Sequence, residues 1–501
     1  MKTFYSLCFI SLLFGCGSGG GSSSAPDTPS PVDPPEQAVC GYTDSSDGFL
    51  AENTEQLQTL LTTLANNGHD DIIYLAAGTY QVTTPLTYDF ATAAGQPMEK
   101  ISLIGCGAEQ TIFDGNGNSR VFNFWKNGPE IDEDAIHMGP NPSLYMQDLT
   151  IQNGRCIGEC SDKYGNSGAG IHVQRYDTEL VRVSLLNNYD LNEGSALNGS
   201  GHTTLNDVLV DGNEQGTAIS VCGRLTVIDS VITNNIGGGI YRGICLDGDY
   251  SDFDVNVVRS HFEGNLGTRG YAKDHGALQV LGGTTPGKLS ITDSVFINNR
   301  TDSYGGAAVL TRHGNLTISN SRFIDNLVVD DHQPCTEYSM DCQTGGALFI
   351  DNWFPGGGKT LIDNSVFNNN HATDAGGAIF MGGGEDCERD LVRGYDSYCR
   401  PDDFPQPQPS QQTLTVTNST FNGNQAAKAA DVIIAKMELQ GGFQSGNVTL
   451  EASSFSNSAG KSSMVIGGNL TLSETAIGNS VHLAGELSSD NLSSIESLIQ
   501  R

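Results

Sequence analysis

Leu289-Ser-Ile-Thr-Asp-Ser-Val-Phe296-Ile-Asn-Asn299, followed by Gly305-Gly-Ala-Ala-Val-Leu310, decides the architecture because the same phrase comes back twice. It returns as Leu316-Thr-Ile-Ser-Asn-Ser-Arg-Phe323-Ile-Asp-Asn326 with Gly345-Gly-Ala-Leu348, and as Leu361-Ile-Asp-Asn-Ser-Val-Phe367-Asn-Asn-Asn370 with Gly376-Gly-Ala-Ile379. Each phrase reads as an alternating strand, an Asn-rich turn, a tight glycine bend and a second strand. Such a unit buries its apolar residues only against a copy of itself, so the copies must stack. Working outward, upstream copies run through Leu144–Ile151, Leu180–Leu185, Leu205–Val210, Leu225–Ile232 and Val255–Phe262. Downstream copies run through Leu414–Phe421, Val448–Phe455 and Leu470–Ile477. The fold class is all-β, a single-stranded parallel β-helix, or solenoid.

One segment breaks the pattern. Asn53 is placed to cap a helix with Gln56 three residues on, and Leu57, Leu60, Leu61 and Leu64 form one apolar stripe before Asn66-Asn67-Gly68 stops it. Strands follow at Asp71–Tyr80, Ile101–Gly105 and Thr111–Gly115. The first rung of a stack leaves an open edge, and a short amphipathic helix laid over it is the physical remedy. This opening resembles the N-terminal cap and first coils of the pectate-lyase-like right-handed parallel β-helices, and the resemblance implies the right-handed coil. The reading divides the domain into a cap at about 50–80, coils at about 100–487 and a C-terminal cap at about 488–501, where Asn491–Ile499 reads as a small amphipathic helix.

The chain has 501 residues, 37% of them hydrophobic, with 62 glycines. A formal net charge of −33 and a pI near 4.4 exclude nucleic acid as a partner and disfavour polyanions. At the start, Lys2 precedes an apolar run, Leu7 to Phe14, that is too short to span a bilayer. The run ends in Leu13-Phe14-Gly15-Cys16, which resembles the lipobox of bacterial lipoproteins. The resemblance implies a signal peptide over 1–15, cleavage before Cys16 and lipidation of that cysteine. With Gly17 rather than Asp next, it implies the outer membrane of a diderm as the destination. Residues 16–38 are a Gly/Ser/Pro-rich tether, and 39–501 form the domain, so the membrane is touched only through the lipid.

Of 12 cysteines, Cys8 and Cys16 belong to the leader and anchor. The remainder, Cys40, Cys106, Cys156, Cys160, Cys222, Cys245, Cys335, Cys342, Cys387 and Cys399, is even, as an oxidising compartment favours. Cys156/Cys160, Cys335/Cys342 and Cys387/Cys399 each sit within one loop and read as local disulfides. Cys222/Cys245 and Cys40/Cys106 are the remaining pairs.

The Phe-x-x-Asn phrase recurs at Phe262/Asn265, Phe296/Asn299, Phe323/Asn326, Phe367/Asn370 and Phe421/Asn424, with Gly-Gly-Ala at three coils. This pairing resembles the repeats of the chlamydial polymorphic membrane proteins and, over about 255–424, implies a surface role in adhesion. The chain departs from that family in carrying no C-terminal membrane barrel and in using Cys16 as its anchor. Read from the residues themselves, the motif is scaffold. Phe rings one strand spacing apart can stack, and Asn can both take a left-handed turn and bond to the next amide along the axis.

Sites are expected on the loops. Insertions fall before the Gly-Gly-Ala strand (Arg155 to Ser167, Leu266 to His275, Leu327 to Thr344) and after it (Arg242 to Asp254, Asp351 to Lys359, Gly382 to Gln412), so stacked copies would wall a groove. Alternation from the bend points His172, Ser220, Tyr241, Gln279, Phe349 and Phe380 outward on its floor. Arg175, Arg242, Lys273, His275, Arg312, His313, Asp351 and Trp353 lie at its borders. Aromatic and polar groups in a groove suit carbohydrate, and the expected function is a cell-surface lipoprotein that binds a polysaccharide or cell-surface ligand. The alternative is a polysaccharide lyase or glycoside hydrolase, with Lys273, Arg242 and Arg312 as candidate bases by position. A structural envelope protein is the second alternative. Asp247, Asp249, Asp252 and Asp254 form a candidate calcium site, although their spacing matches no recognised calcium loop and an acidic solvated turn explains them. No Gly-x-Ser-x-Gly elbow, zincin motif or polygalacturonase-type Asn-Thr-Asp is present.

Overall fold

The computed structural model describes residues 48–91, 98–127, 141–157, 167–243, 254–268, 275–281, 287–302, 305–311, 315–329, 344–352, 358–383, 412–434, 438–439, 442–443, 446–460 and 462–500. Within them, 40 strands join one continuous sheet in which each strand pairs in parallel with its equivalent one coil on. Val255–Val258, Lys288–Thr292, Asn315–Ser319, Lys359–Asp363, Thr413–Thr417, Asn447–Glu451 and Leu470–Ser473 make one such series. His261–Glu263, Val295–Ile297, Arg322–Ile324, Val366–Asn368, Thr420–Asn422 and Ser454–Ser456 make the next. Ile240–Gly243, Leu278–Val280, Val309–Thr311, Leu348–Asn352, Ile379–Gly383, Ala429–Ile434 and Ser462–Ile466 make the series after the glycine bend. The chain is a right-handed parallel β-helix, and the inward side chains of all three series fill its interior.

Period-2 alternation puts one phenylalanine per coil inside. Phe262, Phe296, Phe323, Phe367, Phe421 and Phe455 stack with centroids 4.6, 5.0, 4.8, 4.6 and 4.5 Å apart. Those distances match the spacing of hydrogen-bonded strands, so ring stacking and backbone pairing reinforce one register.

The Asn of the motif is buried at 0% exposure and forms a ladder. Each amide nitrogen donates to the amide oxygen one coil on, from Asn188 to Asn213 (3.0 Å), then Asn235 (2.9 Å), Asn265 (2.8 Å), Asn299 (2.9 Å), Asn326 (3.1 Å), Asn370 (2.9 Å) and Asn424 (3.1 Å). The left-handed conformation falls on the residue before it: Asn298, Asp325 and Asn369 all have φ 54°. This corrects the expectation that one Asn does both jobs. The left-handed residue turns the chain so that the following side chain points inward, between coils, where it can also donate to a main-chain carbonyl such as Phe296 O (3.0 Å). A second ladder runs at the preceding corner, where the main-chain N–H of Ser260, Ser294 and Ser321 donates to the hydroxyl of Ser294, Ser321 and Ser365 at 3.1–3.2 Å.

The glycine bend explains its own composition. Gly306, Gly345 and Gly376 have φ between 65° and 69°. A Cβ on Gly346 would lie 2.1 Å from the Gly377 carbonyl oxygen, which no side chain tolerates.

Thr54–Leu64 is the expected helix, capped by the Asn53 side chain accepting from Gln56 N at 3.0 Å, with Leu57, Leu61 and Leu64 buried. The other end departs from the reading. Ser494–Gln500 is a strand, parallel to Ala476–Leu483, with Ile495 over Ile477 and Leu498 over Val481. Covering the last core rows outweighs the helical spacing of Ile495, Leu498 and Ile499.

Cys106, Cys156 and Cys222 are disulfide-bonded. Cys16, the leader and tether, and Cys40, Cys160, Cys245, Cys335, Cys342, Cys387 and Cys399 lie outside the described residues.

Candidate functional site

The outward positions of the post-bend strands form one registered row. Asn123, His172, Asn198, Ser220, Tyr241, Gln279, Leu310, Phe349, Phe380, Ile433 and Val465 sit one above the next. The row divides by chemistry: its first six members are polar or carry a polar tip, and the next five are apolar.

The six floor positions counted from the sequence are therefore on the outward side, but the face is not open. His172, Ser220, Tyr241, Gln279, Phe349 and Phe380 are all only 3–6% exposed. Leu310, Phe349, Phe380 and Ile433 bury one another with Ala375 and Ala429 in a second apolar cluster, and the Phe349 and Phe380 rings stack 5.1 Å apart. Such side chains are core, and they are removed from the set that can meet a ligand.

The polar half behaves differently. Ser220 Oγ donates to Glu193 Oε2 at 2.9 Å. The Nδ1 of fully buried His275 donates to Gln279 Oε1 at 2.8 Å, and burial lowers the pKa of that imidazole to about 3. His172 Nδ1 bonds to Ser167 O at 3.0 Å, while its Nε2 has no hydrogen-bond partner. Burial, then the neighbouring charge of Arg120, lowers the His172 pKa to about 4, so the ring is neutral at pH 7. Beside it the Asn123 side chain is fully buried with neither its nitrogen nor its oxygen bonded. Unmet polar atoms cost stability and are retained where something else meets them.

Accessible groups lie next to these. Trp125 is half-buried, its ring near-parallel to that of His172 with centroids 6.1 Å apart. Gln174, paired in register with Trp125, and Asn198 and Ser200 on the following strand are also half-buried. The sequence reading missed Trp125, Gln174 and Asn198. Their signal was present in Phe122-Asn-Phe-Trp-Lys126, whose alternation puts Asn and Trp on one face, but the coil lacks the repeat motif that drew attention elsewhere.

Arg242 is not at the border of an open groove. It occupies an inward row between Val221 and Val280, fully buried, with Nε donating to Gly223 O (3.0 Å) and Nη1 to Leu281 O (2.7 Å). Desolvation lowers its pKa to about 10, and the guanidinium braces neighbouring turns of chain. A catalytic base facing substrate is inconsistent with that position. Lys273, Arg312, His313 and Trp353, and the side chain of Asp351, lie outside the described residues, as do Asp247, Asp249 and Asp252. Asp254 accepts from Lys288 N at 3.0 Å, and among the described residues no group of three His, Cys, Asp or Glu side chains converges on a metal position.

Residues 50–244, which contain the polar row from Asn123 to Tyr241 but not Gln279, match the family described as rhamnogalacturonase A/epimerase, pectate lyase-like. Residues 364–381 match the chlamydial polymorphic membrane protein repeat. No curated protein sequence matches the chain. Among solved structures, the catalytic domain of a GH87 alpha-1,3-glucanase in complex with nigerose is 12% identical at a TM-score of 0.40, covering 83% of this chain and 66% of its own. A mannuronic acid specific polysaccharide family 6 lyase from human gut microbiota is 11% identical at 0.36, covering 85% and 86%. The Streptococcus pneumoniae surface protein and adhesin PfbA is 13% identical at 0.35, covering 92% and 98%. This chain thus spans just under two thirds of the glucanase domain. Its fold is that of a parallel β-helix, and its similarity to the two family models is confined to residues 50–244 and 364–381.

Proposed function

We propose that this protein is an exported, lipid-anchored surface protein whose β-helix binds carbohydrate, in adhesion to a polysaccharide or to a cell surface. The observation that supports this most directly is the half-buried Trp125 indole, stacked on His172 and in register with Gln174, with Asn198 next to His172 on the following strand. A flat ring flanked by donors and acceptors is what a sugar ring, apolar on its faces and polar at its rim, requires. Lipidation of Cys16 and the pairings Cys40/Cys106, Cys156/Cys160 and Cys222/Cys245 belong to the same proposal. The test is a panel of polysaccharides presented to the full chain, scored for binding and for products, with calcium and with chelator. Binding without products that is lost in Trp125→Ala is the expected result, and binding indifferent to that change refutes the site.

The second reading is a polysaccharide-cleaving enzyme in the same place, favoured by the family match over 50–244. Lys126 follows Trp125 in the strand but is in register with the core residue Phe90, on the face opposite the indole, so it is not a candidate base at this site. Appearance of unsaturated, ultraviolet-absorbing products that disappear in Trp125→Ala would establish this reading over the first.

A further inference from the structure

The β-helix has a second concavity, on a corner rather than on the post-bend face. A cleft of about 440 Å³ is lined by Asn116, Gly117, Asn153, Gly154, Arg155, Asn187, Asn188, Tyr189, Gly212 and Glu214, and so crosses four successive coils. Its volume is within the range of small-ligand sites. Of its lining residues only Asn188 belongs to the amide ladder, and none belongs to the Trp125 face.

The cleft exists because of what the corner lacks. Gly117 and Gly212 both have φ 66°. A Cβ on Gly117 would meet nothing within 4 Å, so the lining there is bare backbone beside open space. One wall is a registered column in which Tyr189 pairs with Arg155 on one side and Glu214 on the other. The Arg155 guanidinium lies 4.6 Å over the Tyr189 ring, which fixes the ring's orientation. The facing corner supplies Asn116 and Asn187, both left-handed, and Asn153, whose amide nitrogen is held by Asp114 Oδ1 at 3.0 Å.

The geometry points to a binding site for a neutral sugar chain. An aromatic ring, a carboxylate, a guanidinium and amides at a fixed pitch can pair with the alternating hydroxyls of a glycan. Glu214 accepts hydroxyl hydrogens, while Arg155 and the amides donate to hydroxyl or ring oxygens. An acidic sugar is disfavoured by Glu214 within the cleft and by a chain of net charge −33. An apolar ligand finds only one ring to bury against. The cleft and the Trp125 face share the strands Tyr189–Ser200 and Glu214–Cys222 but use opposite ends of them.

The experiment uses the full chain with maltotetraose, cellotetraose and laminaritetraose as neutral probes and tetragalacturonate as the acidic one, measured by calorimetry. Gly117→Asn fills the cleft with a residue that Asn153 and Asn187 show to be compatible with a left-handed φ, and Glu214→Gln removes the acceptor charge. Measured in a Trp125→Ala background, where only the cleft can respond, each should weaken neutral-probe binding about tenfold or more, equivalent to about 1.4 kcal/mol, with an unchanged melting temperature. Absence of binding to all three neutral probes at millimolar concentration overturns the proposal. So does preference for tetragalacturonate, or neutral-probe binding kept in both cleft variants of that background.

Discussion

Replacing Asn326 by Ala tests the ladder where it is most regular. The side chain takes part in four hydrogen bonds: it donates to Phe296 O (3.0 Å) and Asn370 Oδ1 (2.9 Å), and it accepts from Asn299 Nδ2 (3.1 Å) and Asn299 N (3.2 Å). At about 1 kcal/mol net for each, the loss is about 4 kcal/mol, more than most single substitutions produce. The neighbouring corner gives the control. Asn298→Ala keeps the β-carbon but loses the polar side chain that makes a left-handed backbone tolerable, and should cost about 1 kcal/mol, whereas Asn298→Gly should be nearly neutral. Asn326→Gly, by contrast, should be at least as damaging as Asn326→Ala, because the ladder and not the turn is what it breaks. Guanidinium unfolding reports the global cost, and amide exchange at Asn299 N–H reports the local one, since its acceptor is the deleted oxygen. If Asn326→Gly proves harmless while Asn298→Gly is costly, the assignment of ladder and turn to separate residues is wrong.

Phe323→Leu keeps most of the volume but removes two stacked ring pairs, at 5.0 and 4.8 Å, and should cost about 2 kcal/mol by thermal or chemical unfolding. A change smaller than a few tenths of that would mean the rings merely fill space. Asn53→Ala removes the acceptor for Gln56 N and should cost about 1 kcal/mol, read as faster exchange across Thr54–Leu64; unaltered protection would refute the cap. His172 has a folded pKa near 4, below its ordinary 6.5, so its contribution is fully present above pH 6.5 and is lost as pH falls toward 4. Over that span the loss reaches about 3 kcal/mol, and His172→Gln should flatten that part of the melting-temperature profile. An identical acid limb in the variant would contradict a buried neutral imidazole.

The repeat made the stacking legible because its signals agree at every level: period-2 apolar residues, a corner residue that tolerates positive φ, and glycines where backbones touch. The alternation also located the outward row. Burial could not be read, because a strand position facing away from the core has the same sequence signature whether solvent or more protein lies beyond it. Phe349 and Phe380 are of that kind. Paired asparagines such as Asn298-Asn299 concealed which one turns the chain and which one points inward. Arg242 misled because a charged residue is assumed to be outward, whereas here two main-chain carbonyls hold it inside. The C-terminal segment satisfies both helical and strand spacing, and only the uncovered rows beneath Ile495 and Leu498 decide between them.

The amide ladder has a direction. Every rung donates toward the C-terminal side, so the two ends of the series have opposite needs. Asn188 Oδ1 at the first rung is met by Gly154 N at 2.8 Å, and Asn424 Nδ2 at the last is met by the carboxylate of buried Asp431 at 3.0 Å. No single amide can rotate without opposing its neighbour, which makes orientation a property of the whole series. Coils could be inserted or deleted between these two terminators with any loop length, since successive rungs are already 22 to 54 residues apart in the chain. A coil joined beyond Asn424 in place of Asp431 would have to present an acceptor, and one joined before Asn188 a donor, so growth at this corner is possible only head to tail.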